Sequence, residues 1–218
     1  MIIAVIPAYN EEKTISKVVS DVWSHVDQII VVDDGSRDKT SLLARQAGAI
    51  VLRHIINRDQ GASLQTGDEY ALKIGADIIV HFDADGQHRA GDIDNLVKPI
   101  IEGEVEVTLG SRFLEDKSNI PFTKRFFILK PAILLNRILT GLKLTDAHNG
   151  LRAFSRKAAE VIKITHDRKA HNTEIPAEIN KKGLKWREIP VNIIYNEYGQ
   201  GFSGGIEILR DLIVRKII

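Results

Sequence analysis

The feature that most restricts what this chain can fold into is an alternation in its first half. Short apolar runs are each followed by a longer stretch with apolar residues at helical spacing. Brief apolar runs bounded by polar turn residues fit strands buried on both faces of a parallel sheet, and the amphipathic stretches fit the helices that cover it. Strands are predicted at 2–7, 28–32, 49–53, 77–82 and 105–110, and helices over 11–23, 39–47, 62–74 and 92–101. The expected class is α/β: a Rossmann-like, mostly parallel sheet flanked by helices. At 218 residues the chain can bury an ample core without covalent staples, and a single domain over 1–218 is expected.

In doubly wound sheets ligands collect beyond the carboxyl ends of the strands. Three polar clusters fall there: Pro7-Ala8-Tyr9-Asn10-Glu11, Asp33-Asp34-Gly35-Ser36 and Asp83-Ala84-Asp85-Gly86-Gln87. Any one reads equally well as a helix cap or a turn, since Asp, Asn and Ser are favoured in both. Three on one edge are what a binding cleft requires.

Composition narrows the chemistry. With 30 Lys and Arg against 29 Asp and Glu there is no global field to attract nucleic acid, and no nucleic-acid partner is expected. The absence of Cys excludes a disulfide framework, a thiolate nucleophile and a thiolate zinc site, and fits a reducing, cytoplasmic compartment. The run from Met1 to Ile6 stops at Pro7 without a basic leader, so it reads as a buried strand and not as a signal peptide. No uncharged apolar stretch approaches the ~18–20 residues of a spanning helix. The chain is expected to be soluble or held at a membrane surface.

Asp83 and Asp85 follow a predicted strand, which turns the intervening Ala84 away and leaves two carboxylates on one side. Such a pair can grip one hard cation, and Mg²⁺ or Mn²⁺ commonly bridges protein carboxylates to substrate phosphates. The cation would neutralise charge on a departing nucleoside diphosphate. Asp-Ala-Asp alone is a weak motif, because acidic turns are common. The Asp33-Asp34 cluster lies where a nucleoside could sit, and a carboxylate there can accept hydrogen bonds from ribose hydroxyls or a base, with Tyr9 stacking on the base and Glu11 reaching its edge or sugar. Taken singly, these residues read as a surface turn, core packing and a helix-start acid.

After residue 112 the alternation is lost. Between 112 and 143 seven cations (Arg112, Lys117, Lys124, Arg125, Lys130, Arg137 and Lys143) face two acids, Glu115 and Asp116, among Phe113, Phe122, Phe126 and Phe127. This basic amphipathic stretch suits either a membrane interface or a helix packed on the domain. The tail over 204–218 is a second amphipathic helix candidate, with Ile206, Leu209, Ile213 and Ile217 on one face. There are no internal repeats or linker-like boundaries.

Five motifs then occur in a familiar order: Ile6-Pro7-Ala8-Tyr9-Asn10-Glu11-Glu12, Val31-Val32-Asp33-Asp34-Gly35-Ser36, Asp83-Ala84-Asp85-Gly86-Gln87-His88, Gly110-Ser111-Arg112-Phe113, and 146–154 (Asp-Ala-His-Asn-Gly-Leu-Arg-Ala-Phe). Over nearly the whole chain the sequence resembles the family 2 glycosyltransferases, and among them the polyprenyl-phosphate (dolichyl-phosphate) mannose and glucose synthases. The resemblance implies a GT-A fold, an inverting mechanism and a Mg²⁺- or Mn²⁺-dependent UDP- or GDP-hexose donor. It implies nucleoside contacts from Pro7, Tyr9, Glu11 and Asp34, and a metal and diphosphate set of Asp83, Asp85 and Gln87, with Asp83 and Asp85 as the metal ligands. Arg112 resembles the arginine that approaches the donor diphosphate or an acceptor phosphate. Asp146 and Arg152 match acidic and basic positions on the acceptor side, with Glu174 a weaker candidate for the same cleft. Residues 1–112 would then form the nucleotide-sugar half and 113–218 the acceptor half.

The expected reaction is transfer of a hexose to a membrane-associated acceptor such as a polyprenyl phosphate, with the protein peripheral at the cytoplasmic face of the membrane. The alternative is transfer to a hydroxyl of a glycan. Lipid-phosphate members usually carry an Arg and a Lys around the late Tyr-Gly; here Tyr198-Gly199 is flanked by Asn196 and Phe202. A hydroxyl acceptor needs a general base, for which Asp146 is the candidate and His148 the substitute, whereas an ionised phosphate needs cations, which Arg112, Arg152 and the basic stretch supply. His166 and His171 read as structural or exposed. A nucleotidyltransferase or a non-catalytic nucleotide-binding module would share the paired aspartates, and the lack of a Gly-rich phosphate fingerprint after the first strand argues against a dinucleotide oxidoreductase.

Overall fold

In the computed structural model the described residues are 1–114, 137, 140–146, 149–165 and 171–194. All five predicted strands are present: β1 (Ile2–Ala8), β2 (Gln28–Asp33), β3 (Ile50–Arg53), β4 (Ile78–His81) and β5 (Val107–Ser111). So are the four helices, α1 (Ile15–Val22), α2 (Thr40–Gln46), α3 (Asp59–Lys73) and α4 (Asp92–Ile101). A 3₁₀ turn, Trp23–His25, extends α1.

Among the described residues of the second half are elements that the alternation did not announce: β6 (Arg152–Ser155), α5 (Arg156–Val161), α6 (His171–Lys181) and β7 (Trp186–Pro190). The sheet order is β3-β2-β1-β4-β6-β5-β7. Among the described strands only β6 runs against the rest: it is antiparallel to β4 and β5, while β7 is parallel to β5. The sheet is therefore mostly parallel, as predicted. Because β6 inserts between β4 and β5, the two sequence halves share one sheet, and 112 is not a boundary of the fold.

The core lies on both sheet faces, which follows from strand side chains alternating with period two. From β1, Ala4, Ile6 and Ala8 pack with Ile29, Val31, Val80 and Phe82 against α1, α2 and α4. Ile3 and Val5 pack with Ile30, Val32 and Ile79 against α3, α5 and α6. Helix α3 comes close to β1 through Gly67, where a Cβ would lie 2.2 Å from Val5 Cγ1. Helix propensity alone favours Gly67→Ala by about 1 kcal/mol, but overpacking a well-filled core costs about 1–3 kcal/mol. Steric crowding should win, so G67A is expected to lower the urea midpoint at unchanged m-value; a raised midpoint would contradict this packing.

Candidate active site

The carboxyl ends of β1 and β2 are level, and β4 ends three residues earlier, with His81 opposite Val5. Ala8 pairs with Asp33 across β1 and β2, and beyond the β1–β4 ladder Phe82 donates its N–H to Val5 O at 3.1 Å. The loops that follow are cross-braced. Asn10 N–H donates to Ser36 Oγ at 2.9 Å, Arg37 N–H to Asn10 Oδ1 at 2.9 Å, and Glu11 N–H to Thr40 Oγ1 at 2.8 Å. The three polar clusters thus converge, as expected, on a cleft of about 310 Å³ lined by Pro7, Ala8, Tyr9, Glu11, Asp34, Asp83, Ala84 and Asp85. Tyr9 stands at its rim, 46% exposed.

The two neighbouring aspartates of β2 divide their duties. Asp33 is wholly buried and accepts from Ser36 N–H at 2.8 Å and from the Ser41 hydroxyl, so it holds the turn. Asp34 lines the cleft, and its Oδ1 is fixed by His54 Nδ1 at 2.7 Å and Arg58 N–H at 2.9 Å. His54 Nε2 in turn lies 3.0 Å from Thr66 Oγ1.

Asp83 and Asp85 sit together on the cleft wall. Asp83 is gripped by Gln60 Nε2 on Oδ1 at 2.9 Å and His88 Nε2 on Oδ2 at 3.1 Å. Burial alone would raise its pKa, but His88, Arg152 and His171 outweigh burial and hold it low. Asp85 is held high, by burial and by the charge of Asp83, against a hydrogen bond from Gln87 N–H at 2.9 Å. Glu11 is also raised, by burial first and then by Asp85, Asp38 and Asp83, although the Thr14 hydroxyl lowers it. The wall therefore concentrates negative charge that the protein compensates at Asp83 but not at Asp85 or Glu11.

This is the electrostatic setting for a divalent cation. Two hard carboxylate oxygens suit Mg²⁺ or Mn²⁺, and each carboxylate has lone pairs beyond those its neighbours use. Among the described residues no group of three or more His, Cys, Asp or Glu forms a complete metal cage. Asp83 and Asp85 would accordingly hold the ion together with substrate oxygens and water, the usual manner of Mg²⁺ at phosphates.

Gly150 lies against Asp83: a Cβ there would lie 2.4 Å from Asp83 Oδ2. Gly150→Ala must displace the Asp83 carboxylate from where it would hold a cation. Misplacement of a reacting group by about 1 Å can cost 10²-fold. G150A is thus expected to lose about 100-fold in metal-dependent turnover with little change in Tm, and turnover close to wild type would refute the contact.

The remaining predicted residues fall in different places. Gln87 does not line the cleft; its backbone braces the loop, donating to Asp85 and accepting from Ile194 N–H at 2.8 Å. Arg112, at the end of β5, makes a bidentate pair with Asp146, Nε to Oδ2 at 2.6 Å and Nη2 to Oδ1 at 2.8 Å. The Arg112 side chain keeps 31% exposure while that of Asp146 keeps 2%. Arg152 was expected on the acceptor side, but it is 2% exposed, donating to Asn149 O at 3.1 Å and Asn172 Oδ1 at 2.7 Å. Burial brings its pKa down to about 10 against the opposing charges of Asp83 and Asp146, so it remains a cation beneath both carboxylates. Glu174 accepts from Thr165 N–H at 3.0 Å and ties α6 to the segment after α5, away from the cleft lining. His148, His166, Asn196, Tyr198, Gly199, Phe202, the tail over 204–218 and most of the basic stretch lie outside the described residues.

Asn57, Asp59, Gln60 and Ser63 also line the cleft. They follow β3, and the same strand-end rule that picked out the other clusters applies to Asn57-Arg58-Asp59-Gln60.

The family model for glycosyl transferase family 2 matches residues 3–163. The chain belongs to this family. The family 2 assignment makes the protein a glycosyltransferase. A UDP-N-acetylglucosamine–dolichyl-phosphate N-acetylglucosaminyltransferase of Methanococcus voltae is 35% identical, over 100% of this chain and 96% of that one. A polyprenol monophosphomannose synthase of Mycolicibacterium smegmatis is 29% identical, over 94% and 82%. Among solved structures, glucosyl-3-phosphoglycerate synthase of Mycobacterium tuberculosis in complex with Mg²⁺ and UDP superimposes with a TM-score of 0.74 at 19% identity, covering 99% of this chain and 79% of that one. That likeness establishes the GT-A fold. Among the described residues no helix is long and apolar enough to cross a membrane.

Proposed function

We propose that this family 2 glycosyltransferase moves a hexose, with inversion, from a UDP- or GDP-sugar to a polyprenyl phosphate presented by a membrane. The observation that carries the reading is the convergence of Tyr9, Glu11, Asp34, Asp83 and Asp85 on one cleft. Tyr9 would stack on the base and Asp34, oriented by His54 and Arg58, would accept from the nucleoside, with Pro7 and Glu11 completing that end. Asp83 and Asp85 would hold Mg²⁺ or Mn²⁺, which when bound supplies charge neutralisation to the departing nucleoside diphosphate. Support for a cation and UDP comes from the structural neighbour, which binds both. Support for a lipid phosphate comes from the relatives that act on dolichyl and polyprenol phosphates.

The acceptor side is a question of charge. In an inverting displacement the acceptor oxygen attacks opposite the diphosphate; a hydroxyl must lose a proton as it does so, and a phosphate has none to lose. Both oxygens of Asp146 are engaged by Arg112. That geometry suits a carboxylate orienting a cation better than a base, and it favours the ionised acceptor over a glycan hydroxyl. Arg112 would present its fork to phosphate oxygens, for which planar bidentate donors are well matched. Residues 1–112 would serve mainly the donor and 113–218 the acceptor, with the protein peripheral at the cytoplasmic face. The test is a panel of UDP- and GDP-hexoses with Mn²⁺, scored for nucleoside diphosphate release with and without a short-chain polyprenyl phosphate. Strong stimulation by the lipid phosphate is expected; stimulation by an oligosaccharide alone would transfer the assignment to the hydroxyl reading.

A further inference from the structure

We infer that Glu188 is the positioning residue for Arg112, acting through the Thr145-Asp146 backbone. Resting on the acceptor role proposed for Arg112, the inference explains a carboxylate that otherwise has no assigned task. Three donors converge on the single oxygen Glu188 Oε1: Thr145 N–H at 2.8 Å, the Thr145 hydroxyl at 3.0 Å and Asp146 N–H at 3.1 Å. Asp146 then accepts from Arg112 three times, from Nε, Nη2 and the backbone N–H at 3.2 Å.

A second branch reaches the same place. Ser111 Oγ and Thr145 Oγ1 lie 2.6 Å apart. Since the one Thr145 hydroxyl proton goes to Glu188, Ser111 must be the donor to Thr145, and Ser111 Oγ accepts from Phe113 N–H at 3.2 Å. The residues on either side of Arg112 are thus tied to the loop that Glu188 holds.

The strand pairing makes this possible. β7 lies parallel to β5 with Leu109 opposite Glu188. Glu188 therefore comes up beneath the end of β5, where Arg112 leaves the sheet. Burial, together with the nearby charge of Asp146, raises the Glu188 pKa, and the hydrogen bonds from Asp146 and Thr145 oppose that rise. A carboxylate kept in so unfavourable a place is one whose acceptor oxygen is needed there. Aligned dipoles and charges that need no rearrangement during reaction are a main source of catalytic stabilisation. Asp146 alone cannot provide this, because its own backbone sits in a loop.

The experiment compares Glu188→Gln, Glu188→Ala and the double variant Glu188→Ala/Arg112→Ala. Glutamine keeps an acceptor oxygen for the three donors, so E188Q should stay within about threefold of wild type in lipid-phosphate-stimulated turnover, whereas E188A should fall by about 10–100-fold, the scale of a small misplacement. The fall should appear in kcat or acceptor KM while the donor KM stays unchanged. In the Arg112→Ala background E188A should add no further loss, as expected of residues that act as one unit. Independently of activity, the Arg112 Nε–Hε resonance in ¹⁵N NMR should be held in E188Q and shifted or broadened in E188A. E188Q as impaired as E188A would show that an acceptor oxygen at this position is not what the reaction needs, and overturn the inference. So would an E188A loss of equal size with or without Arg112, or an Nε–Hε resonance unmoved in E188A. If wild type is not stimulated by lipid phosphate, the acceptor assignment fails, and the resonance still decides the relay.

Discussion

Asp85→Asn should lower metal-dependent donor turnover by about 10³-fold while leaving the fold as stable as before or slightly more so. The activity loss follows from the proposed role of Asp85 in holding a divalent cation, which would supply several kcal/mol of transition-state charge stabilisation, at ~1.4 kcal/mol per tenfold in rate. The stability gain follows from the direction of the Asp85 pKa, which is raised by burial and by the charge of Asp83. A carboxylate whose folded-state pKa is raised binds protons more readily in the folded state. Its ionised form therefore costs stability above its unfolded pKa, and neutral Asn removes that cost at pH 7. Activity and stability should move in opposite directions, as at sites where function is held at the expense of the fold. Turnover and Tm measured on the same sample check this; wild-type turnover in D85N would remove Asp85 from the reaction.

Arg112→Ala carries the second large effect. In the account proposed for the acceptor, kcat/KM with polyprenyl phosphate should drop by about 10²–10³-fold, the scale of losing one preorganised donor to developing charge. Arg112→Lys should recover only part of this, since an ammonium keeps the charge without the fork. The alanine variant should also lose about 1–3 kcal/mol of stability, because the Asp146 carboxylate, with 2% of its side chain exposed, is stripped of its bidentate partner. Adding Asp146→Asn should restore much of that stability but none of the turnover. If both returned together, Arg112 would be a structural ion-pair partner and no more. Donor affinity, measured by UDP binding, should be unaffected in each variant.

The cleft formed after β1, β2 and β4 was legible because sheet physics writes itself into sequence there. Strands such as Ile2–Ala8 are buried on both faces and read as continuous apolar runs, and polar residues break the pattern where the chain leaves the sheet. The predicted and observed bounds of α4 coincide at 92–101 for a similar reason, its apolar residues lying on one strip. The region of β6 and β7 was less legible. β6 is four residues long and contains a buried arginine and a serine, so no apolar run marks it. β7 is an edge strand alternating Trp186, Arg187, Glu188 and Ile189 and closed by Pro190, a short pattern that resembles a loop.

Pairings across long sequence separations were beyond any local pattern. The Arg112–Asp146 pair spans 34 residues and the Asp146–Glu188 bond 42. Motif order placed Asp146 and Arg152 together on the acceptor side, while the fold buries Arg152 near the charges of both Asp83 and Asp146 and pairs Asp146 with Arg112. A buried arginine and an accessible one are spelled alike. Gly150 makes the same point: its requirement comes from the Asp83 oxygen 2.4 Å from its absent Cβ, not from its own backbone.

On the proposed reading, the Tyr9–Asp34 and Asp83–Asp85 ends of one cleft bind a single nucleoside diphosphate through a cation. Calorimetric titration of UDP and GDP into the protein, with Mn²⁺ and then with EDTA, tests it directly. Binding of one nucleotide per chain is predicted with the metal, weakened at least tenfold by the chelator and by Asp85→Asn, as expected when a cation bridges carboxylates to phosphates. Equal affinity with and without metal, or full metal-dependent affinity in the Asp85→Asn variant, would contradict the account.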